Sequence, residues 1–167
     1  MAMAWAAPVL AWLAPVPPFA SHLVDDAGML TPDDAARLER LLASYRKATG
    51  GQIAVLLVKS TAPESIDQFA IRVVEDWQPG RKGIDDGVLL LVARDNPTAL
   101  RRMRIEAGRG VQGDLTDARS NGILQDVMAP HFRNEQWLTG LESGVDAIAK
   151  VLHPGLVRTG GGASGNW

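Results

Sequence analysis

The 167-residue chain has no cysteine. Disulfides, thiolate zinc sites and a cysteine nucleophile are excluded together, while the redox compartment stays open. A basic stripe is also missing. Lys and Arg number 17 against 19 for Asp and Glu, giving a formal net charge of -2. A nucleic-acid binder concentrates positive charge on one face, so the balance argues against a polyanionic partner. His22, His131 and His153 show no metal-ligand spacing, and no serine sits in a G-x-S-x-G elbow. Beyond the N-terminal leader, no segment offers the about 20 apolar residues that a membrane-crossing helix needs. What is present, 46% hydrophobic and 22% charged residues, suits one domain with one sizeable core.

No formally charged side chain occurs before Asp25, and residues 3–13 are nearly all Ala, Val, Leu, Trp and Met. This reads as the apolar part of an export or anchoring segment. Against it, no Lys or Arg precedes the run, and Pro15 follows Ala14, a poor place for cleavage. Residues 1–15 are therefore taken as a leader, 16–155 as the domain and 156–167 as a Gly-rich tail that need not fold. The leader implies an exported, periplasmic or membrane-associated protein.

The periodicity gives helix, strand, helix, strand, strand, helix, helix. Thr31-Pro32-Asp33-Asp34 opens the first helix and Gly50-Gly51 ends it. Residues 53–58 and 87–93 are continuous apolar runs of buried-strand length. Between them, Thr61 and Glu64 have the spacing of a capping box before a second helix. Asp95-Asn96-Pro97 makes a turn, and residues 102–107 alternate polar with apolar, which predicts an antiparallel hairpin. A third helix from about Thr116 should break at Pro130, and a fourth spans about 134–152 with Gly140 and Gly144 placed for close packing. Strands flanked by helices predict an α/β fold, a three-layer α/β/α sandwich around a small mixed sheet.

Aspartates carry the main chemical signal. Asp25-Asp26, Asp85-Asp86 and the pair Asp114 and Asp117 all stand at element ends, where α/β domains place their sites. Converging carboxylates stay ionised only beside a cation or base, and calcium or magnesium prefers such oxygens. The plain alternative is that they hydrogen-bond locally as caps and turn residues. Gly108, Gly110 and Gly113 spell G-x-G-x-x-G, but Pro130 and another helix follow where a dinucleotide fold needs a parallel strand. Nucleotide binding is therefore not expected, and the glycines read as a tight turn near the acids. Arg81, Lys82 and Arg109 lie in glycine-flanked loops, where they either hold an anion such as phosphate or balance the acids.

Taken in order, three stretches resemble the TPM domain family, which includes thylakoid-lumen phosphatase-like proteins and bacterial envelope proteins. They are LVDDAGMLTPDDAARLERLLASYRKATGGQIAVLLV, WQPGRKGIDDGVLLLVA and RIEAGRGVQGDLTDA. With the last two helices the resemblance covers roughly residues 16–152. It implies the α/β/α sandwich and a pocket lined by Asp25, Asp85, Asp86 and Asp117 that takes a divalent cation, usually calcium, with Arg81 and Arg109 beside it for an anion. Plant-lumen relatives are described as acid phosphatases that help repair photosystem II. Many bacterial relatives have no known activity. Their arrangement is often a signal peptide, this domain, a transmembrane segment and a Gly-rich tail, which GGGASGNW resembles. Two departures stand out. Gln112 occupies a position that is often acidic, and Leu152 leads almost directly into Gly160 with no transmembrane segment between.

Two functions follow from the resemblance and the residues. One is a cation-binding accessory module that docks onto envelope or membrane-complex proteins. The other is a metal-dependent acid phosphatase acting on phosphomonoesters, with the aspartates holding the ion. The first is preferred because the sequence presents no nucleophile–base pair.

Overall fold

The structure is a computed structural model that describes residues 12–158 and residue 167. Four strands form one sheet in the order β1 (Leu23–Asp25), β2 (Gln52–Val58), β3 (Gly87–Ala93), β4 (Met103–Ala107). The first three are parallel and β4 is antiparallel to β3, with Val88 facing Ala107 and Val92 facing Met103. All seven residues of β2 and all seven of β3 are buried, as expected of central strands covered on both faces.

Alternate residues of these strands feed two cores. Ile53, Val55, Leu57, Val88, Leu90 and Val92 point to the face covered by α1 (Pro32–Thr49) and α5 (Trp137–Leu152). Ala54, Leu56, Val58, Leu89 and Leu91 point to the other face, under α2 (Ile66–Trp77). The result is the three-layer sandwich around a mixed sheet. α1 begins and ends as its residues dictate: Thr31 Oγ1 accepts from Asp34 N at 3.2 Å, and Gly50 takes φ +77°.

Several local expectations are corrected. The short strand β1 goes unnoticed in the sequence because three residues carry no periodicity. Ser65, not Thr61, caps α2. Thr61 is instead buried, with its N–H donating to Asn96 Oδ1 at 2.8 Å and its hydroxyl accepting from Asn96 Nδ2 at 2.7 Å. Pro130 does not stop the third helix. Helical backbone runs from α3 (Asp117–Gly122) through a π-turn at Ile123–Met128 into α4 (Ala129–Arg133). The π register ends with Ala129 N donating to Leu124 O. Pro130, lacking an N–H, cannot extend it and starts the next turn instead. α5 starts at Trp137 rather than near residue 134, after Glu135 takes φ +56°. Gly140 faces the Phe132 ring and Gly144 faces the Met128 sulfur, each too close for a side chain.

The proline-rich lead-in belongs to the fold. Phe19 stacks on Trp77 with centroids 4.5 Å apart, and Trp77 Nε1 donates to Pro17 O at 2.8 Å. Trp167 packs edge-on to Tyr45 at 5.6 Å, so the last residue of a tail that need not fold sits against the core. The intervening residues 159–166 and most of the apolar leader, residues 1–11, lie outside the described residues. Among the described residues, no helix is long and apolar enough to cross a membrane.

Candidate functional site

The residues singled out in the second and third stretches meet at the amino ends of β2 and β3. Helix α2 ends with Gln78 at φ +48°, and the chain then turns through Pro79 and Gly80 into a loop that returns to β3 at Gly87. A Cβ on Gly80 would strike the Gly87 backbone, and one on Gly87 would strike the Pro79 carbonyl. Glycine is therefore required on both sides of the crossing. Asp86 locks the loop. It is 8% exposed. Its Oδ1 accepts from Arg81 N at 2.8 Å, and its Oδ2 accepts from Arg81 Nε at 2.9 Å and Nη2 at 2.6 Å. Burial pushes the Asp86 carboxyl up, but the Arg81 backbone N–H and guanidinium more than offset this and hold it below the ordinary carboxylate range.

The glycine-rich loop after β4 packs on the same turn. Gly108 N donates to Gly87 O at 2.8 Å, and Gly110 N donates to Asp85 O at 2.9 Å. Added side chains at Gly108 or Gly110 would meet the carbonyls of Asp85 or Ile84. Two of the three glycines in the G-x-G-x-x-G string thus serve backbone-on-backbone packing, while Gly113 has open space around it. Together the loops form an open cleft of about 650 Å³. Arg81, Lys82, Asp85, Arg109 and Gln112 line it, joined by Glu75 and Glu106. Lys82 and Arg109 are exposed and make no hydrogen bond or ion pair among the described residues. Glu106 is held by Arg104 Nη2 at 2.9 Å.

The four predicted metal ligands do not converge. Asp25 faces Leu57 at the carboxyl end of β2, whereas Gly87 faces Gln52 at its amino end. Five residues of strand separate the two positions, about 17 Å. Asp25 is also occupied, since its carboxylate accepts from the N–H groups of Ala27, Met29 and Leu30 at 2.9 to 3.2 Å. Asp117 opens α3 beside its cap Thr116, is exposed, and does not line the cleft. Asp85 lines the cleft with an exposed carboxylate, on a backbone at φ +53°. Asp and Asn tolerate this left-handed region better than most side chains. Among the described residues, no three His, Cys, Asp or Glu side chains stand close enough to hold a metal. As arranged, these aspartates do not build the six-to-eight-oxygen shell of a calcium ion.

The predicted anion residues do converge. Arg81 and Arg109, 28 positions apart in the sequence, line one cleft. Glu75, Gln78 and Glu106 were missed because each reads as an ordinary surface position on a helix end or outer strand.

The model of the TPM domain matches residues 23–151. The chain belongs to the TPM domain family. Solved relatives include the N-terminal domain of a protein from P. gingivalis, 30% identical, covering 81% of this chain and 83% of that one with a TM-score of 0.70. The N-terminal domain of the cg2496 protein of Corynebacterium glutamicum is 13% identical over 91% of this chain and 92% of that one, with a TM-score of 0.58. The BA42 protein of the psychrophilic bacterium Bizionia argentinensis is 21% identical over 75% and 86%, with a TM-score of 0.54. The last two speak for the fold alone. No curated protein matches the chain. Within this TPM domain, the second and third signature stretches build the two walls of the cleft, and the first builds the Asp25 loop at the opposite end of the sheet.

Proposed function

We propose that this TPM domain is a binding module, an accessory to other proteins, whose cleft takes an anionic group such as a phosphate or carboxylate without transforming it. The observation that carries this reading is the composition of the cleft wall. Three bases, Arg81, Lys82 and Arg109, line it beside three acids, Glu75, Asp85 and Glu106. Glu106 is held by Arg104, Lys82 and Arg109 have no side-chain partner among the described residues, and no Ser, Thr, Tyr, His or Cys lies among the lining residues. Guanidinium and ammonium groups recognise oxyanions. A covalent phosphatase mechanism needs a nucleophile with a base beside it, and a metal-assisted one needs a held cation. Asp85 and Glu75 are the exposed carboxylates of the cleft, no hydroxyl side chain lines it beside them, and among the described residues no three acids or histidines gather to hold a cation.

The test is turnover. The full chain is assayed with p-nitrophenyl phosphate in calcium or magnesium, beside Asp85→Asn, which keeps a left-handed-tolerant residue at the position. The expected result is no hydrolysis above background for either protein. Metal-dependent hydrolysis lost in Asp85→Asn would instead establish the phosphatase reading.

A further inference from the structure

At the other end of the sheet from the cleft, two adjoining cavities of about 550 and 220 Å³ share Arg102 and Met103 as a common wall. They form one groove between the β3–β4 hairpin and the helical stretch that carries the π-turn. Four arginines line it, Arg94, Arg101, Arg102 and Arg133, and no carboxylate does, in a chain whose net charge is -2. Such local concentration of one sign in a concave surface focuses the field outward.

Two of the four arginines, Arg102 and Arg133, carry no ion pair among the described residues. Arg133 is exposed and makes no hydrogen bond or ion pair among the described residues. Arg102 Nε donates to a neutral acceptor, Asn96 O, at 2.7 Å. Arg101 reaches Asp67 only at 3.8 Å. Arg94 is the exception, paired with Asp95 at 3.1 Å. Apolar side chains line mainly the smaller cavity, Val92, Met103, Phe132 and Trp137, the last two with ring centroids 5.2 Å apart, while Thr98, Asn121 and Gln125 join Leu124 around the larger.

From this we infer that the groove binds an extended acidic segment of a partner protein, with carboxylates on the arginines and an apolar side chain in the cavity walled by Phe132 and Trp137. The observations favour a peptide over other anions. A nucleic acid needs a longer basic track than one groove. A membrane surface needs projecting apolar groups, whereas here Phe132 and Trp137 line a cavity and are only partly exposed. Alternating forks and slots suit a chain that presents acidic and apolar side chains in turn.

Fluorescence anisotropy of a labelled peptide of alternating Glu and Phe, added to the full chain, tests this. Saturable binding is expected, weakening as salt rises, lost when Gln replaces Glu in the peptide, and weakened roughly tenfold by Arg133→Gln. Arg133 is exposed, so that variant should fold, and an unchanged amide NMR spectrum away from the groove verifies it. Arg109→Gln, on the distant cleft, should leave the Arg133-dependent part of the binding intact, which separates this inference from the proposed cleft function. Equal affinity of the peptide for Arg133→Gln and the unaltered chain would overturn the proposal. So would Arg133-dependent binding to phosphatidylglycerol vesicles with no binding to the peptide, which would assign the groove to lipid.

Discussion

Asp86→Asn is the substitution that tests the cleft's architecture most sharply. The Asp86 side chain is 10% exposed and its partner Arg81 is 52% exposed. Asparagine keeps the volume and can still accept from Arg81 N, but its amide would face the guanidinium donors that now meet Oδ2. A charge-assisted hydrogen bond contributes about 1.5–3 kcal/mol, and the solvent around Arg81 reduces this, so the expected loss is about 1–2 kcal/mol. Asp86→Ala also strips the acceptor from Arg81 N and should cost about 2–3 kcal/mol. The pH dependence has a definite sign. The folded carboxyl titrates below its ordinary value, so its contribution is complete above the unfolded carboxylate pKa and fades as pH falls toward the folded one. Urea denaturation of the unaltered chain and Asp86→Asn should therefore differ near neutral pH and converge as the pH falls below the ordinary carboxylate range. A difference that stays constant across that window would refute the charge argument and leave Asp86 as a shape-filling residue.

Three further outcomes follow from particular contacts. Tyr45 is the chain's one tyrosine. Its hydroxyl is pushed up to about 12 by burial, with the Thr49 side chain acting downward and the Asp86 carboxylate adding upward. Ultraviolet titration of the phenol should show ionisation well above 10, and stability should fall as pH rises past the unfolded tyrosine value of about 10 toward the folded one. Gly110→Ala forces a methyl into the Ile84 carbonyl and should cost about 1–3 kcal/mol by thermal or urea unfolding. Trp77→Phe removes the donor to Pro17 O and should cost about 1 kcal/mol, with limited proteolysis reporting earlier release of the lead-in.

The sandwich was legible because its central strands are unbroken apolar runs and its helices carry strong caps. Residues 53–58 and 87–93 have no face for water, which only a doubly covered sheet supplies. Thr31-Pro32 and Gly50 fixed α1 to the residue. What escaped detection depended on tertiary contact. β1 is three residues long and gains its ladder only from β2. Pro130 looked like a stop, because a π-turn that absorbs the missing N–H has no sequence signal. Ser65 capped α2 where Thr61 and Glu64 had the better motif, since Thr61 was drawn inward by Asn96.

The site was legible in halves. Arg81 and Arg109 flank glycines that pack backbone-on-backbone against the same 84–87 turn, so the two loops share one cleft. The four aspartates looked alike in sequence, each at an element end. Their roles diverge in space: Asp25 closes a turn on three N–H groups, Asp86 pins Arg81, Asp117 opens a helix, and Asp85 faces the cleft. End position alone does not say which end of the sheet, and Asp25 lies at the opposite one.

The central claim is that Arg81, Lys82 and Arg109 form an anion-binding cleft. The most direct measurement is a titration of inorganic phosphate into the isotopically labelled full chain, followed by amide NMR, beside Lys82→Gln and Arg109→Gln and with calcium as a separate titrant. The account predicts saturable shifts centred on residues 80–86 and 106–112, abolished by the paired substitutions, with no saturable response to calcium alone. Phosphate shifts that are absent or unaffected by the substitutions, or a saturable calcium response lost in Asp85→Asn, would contradict it.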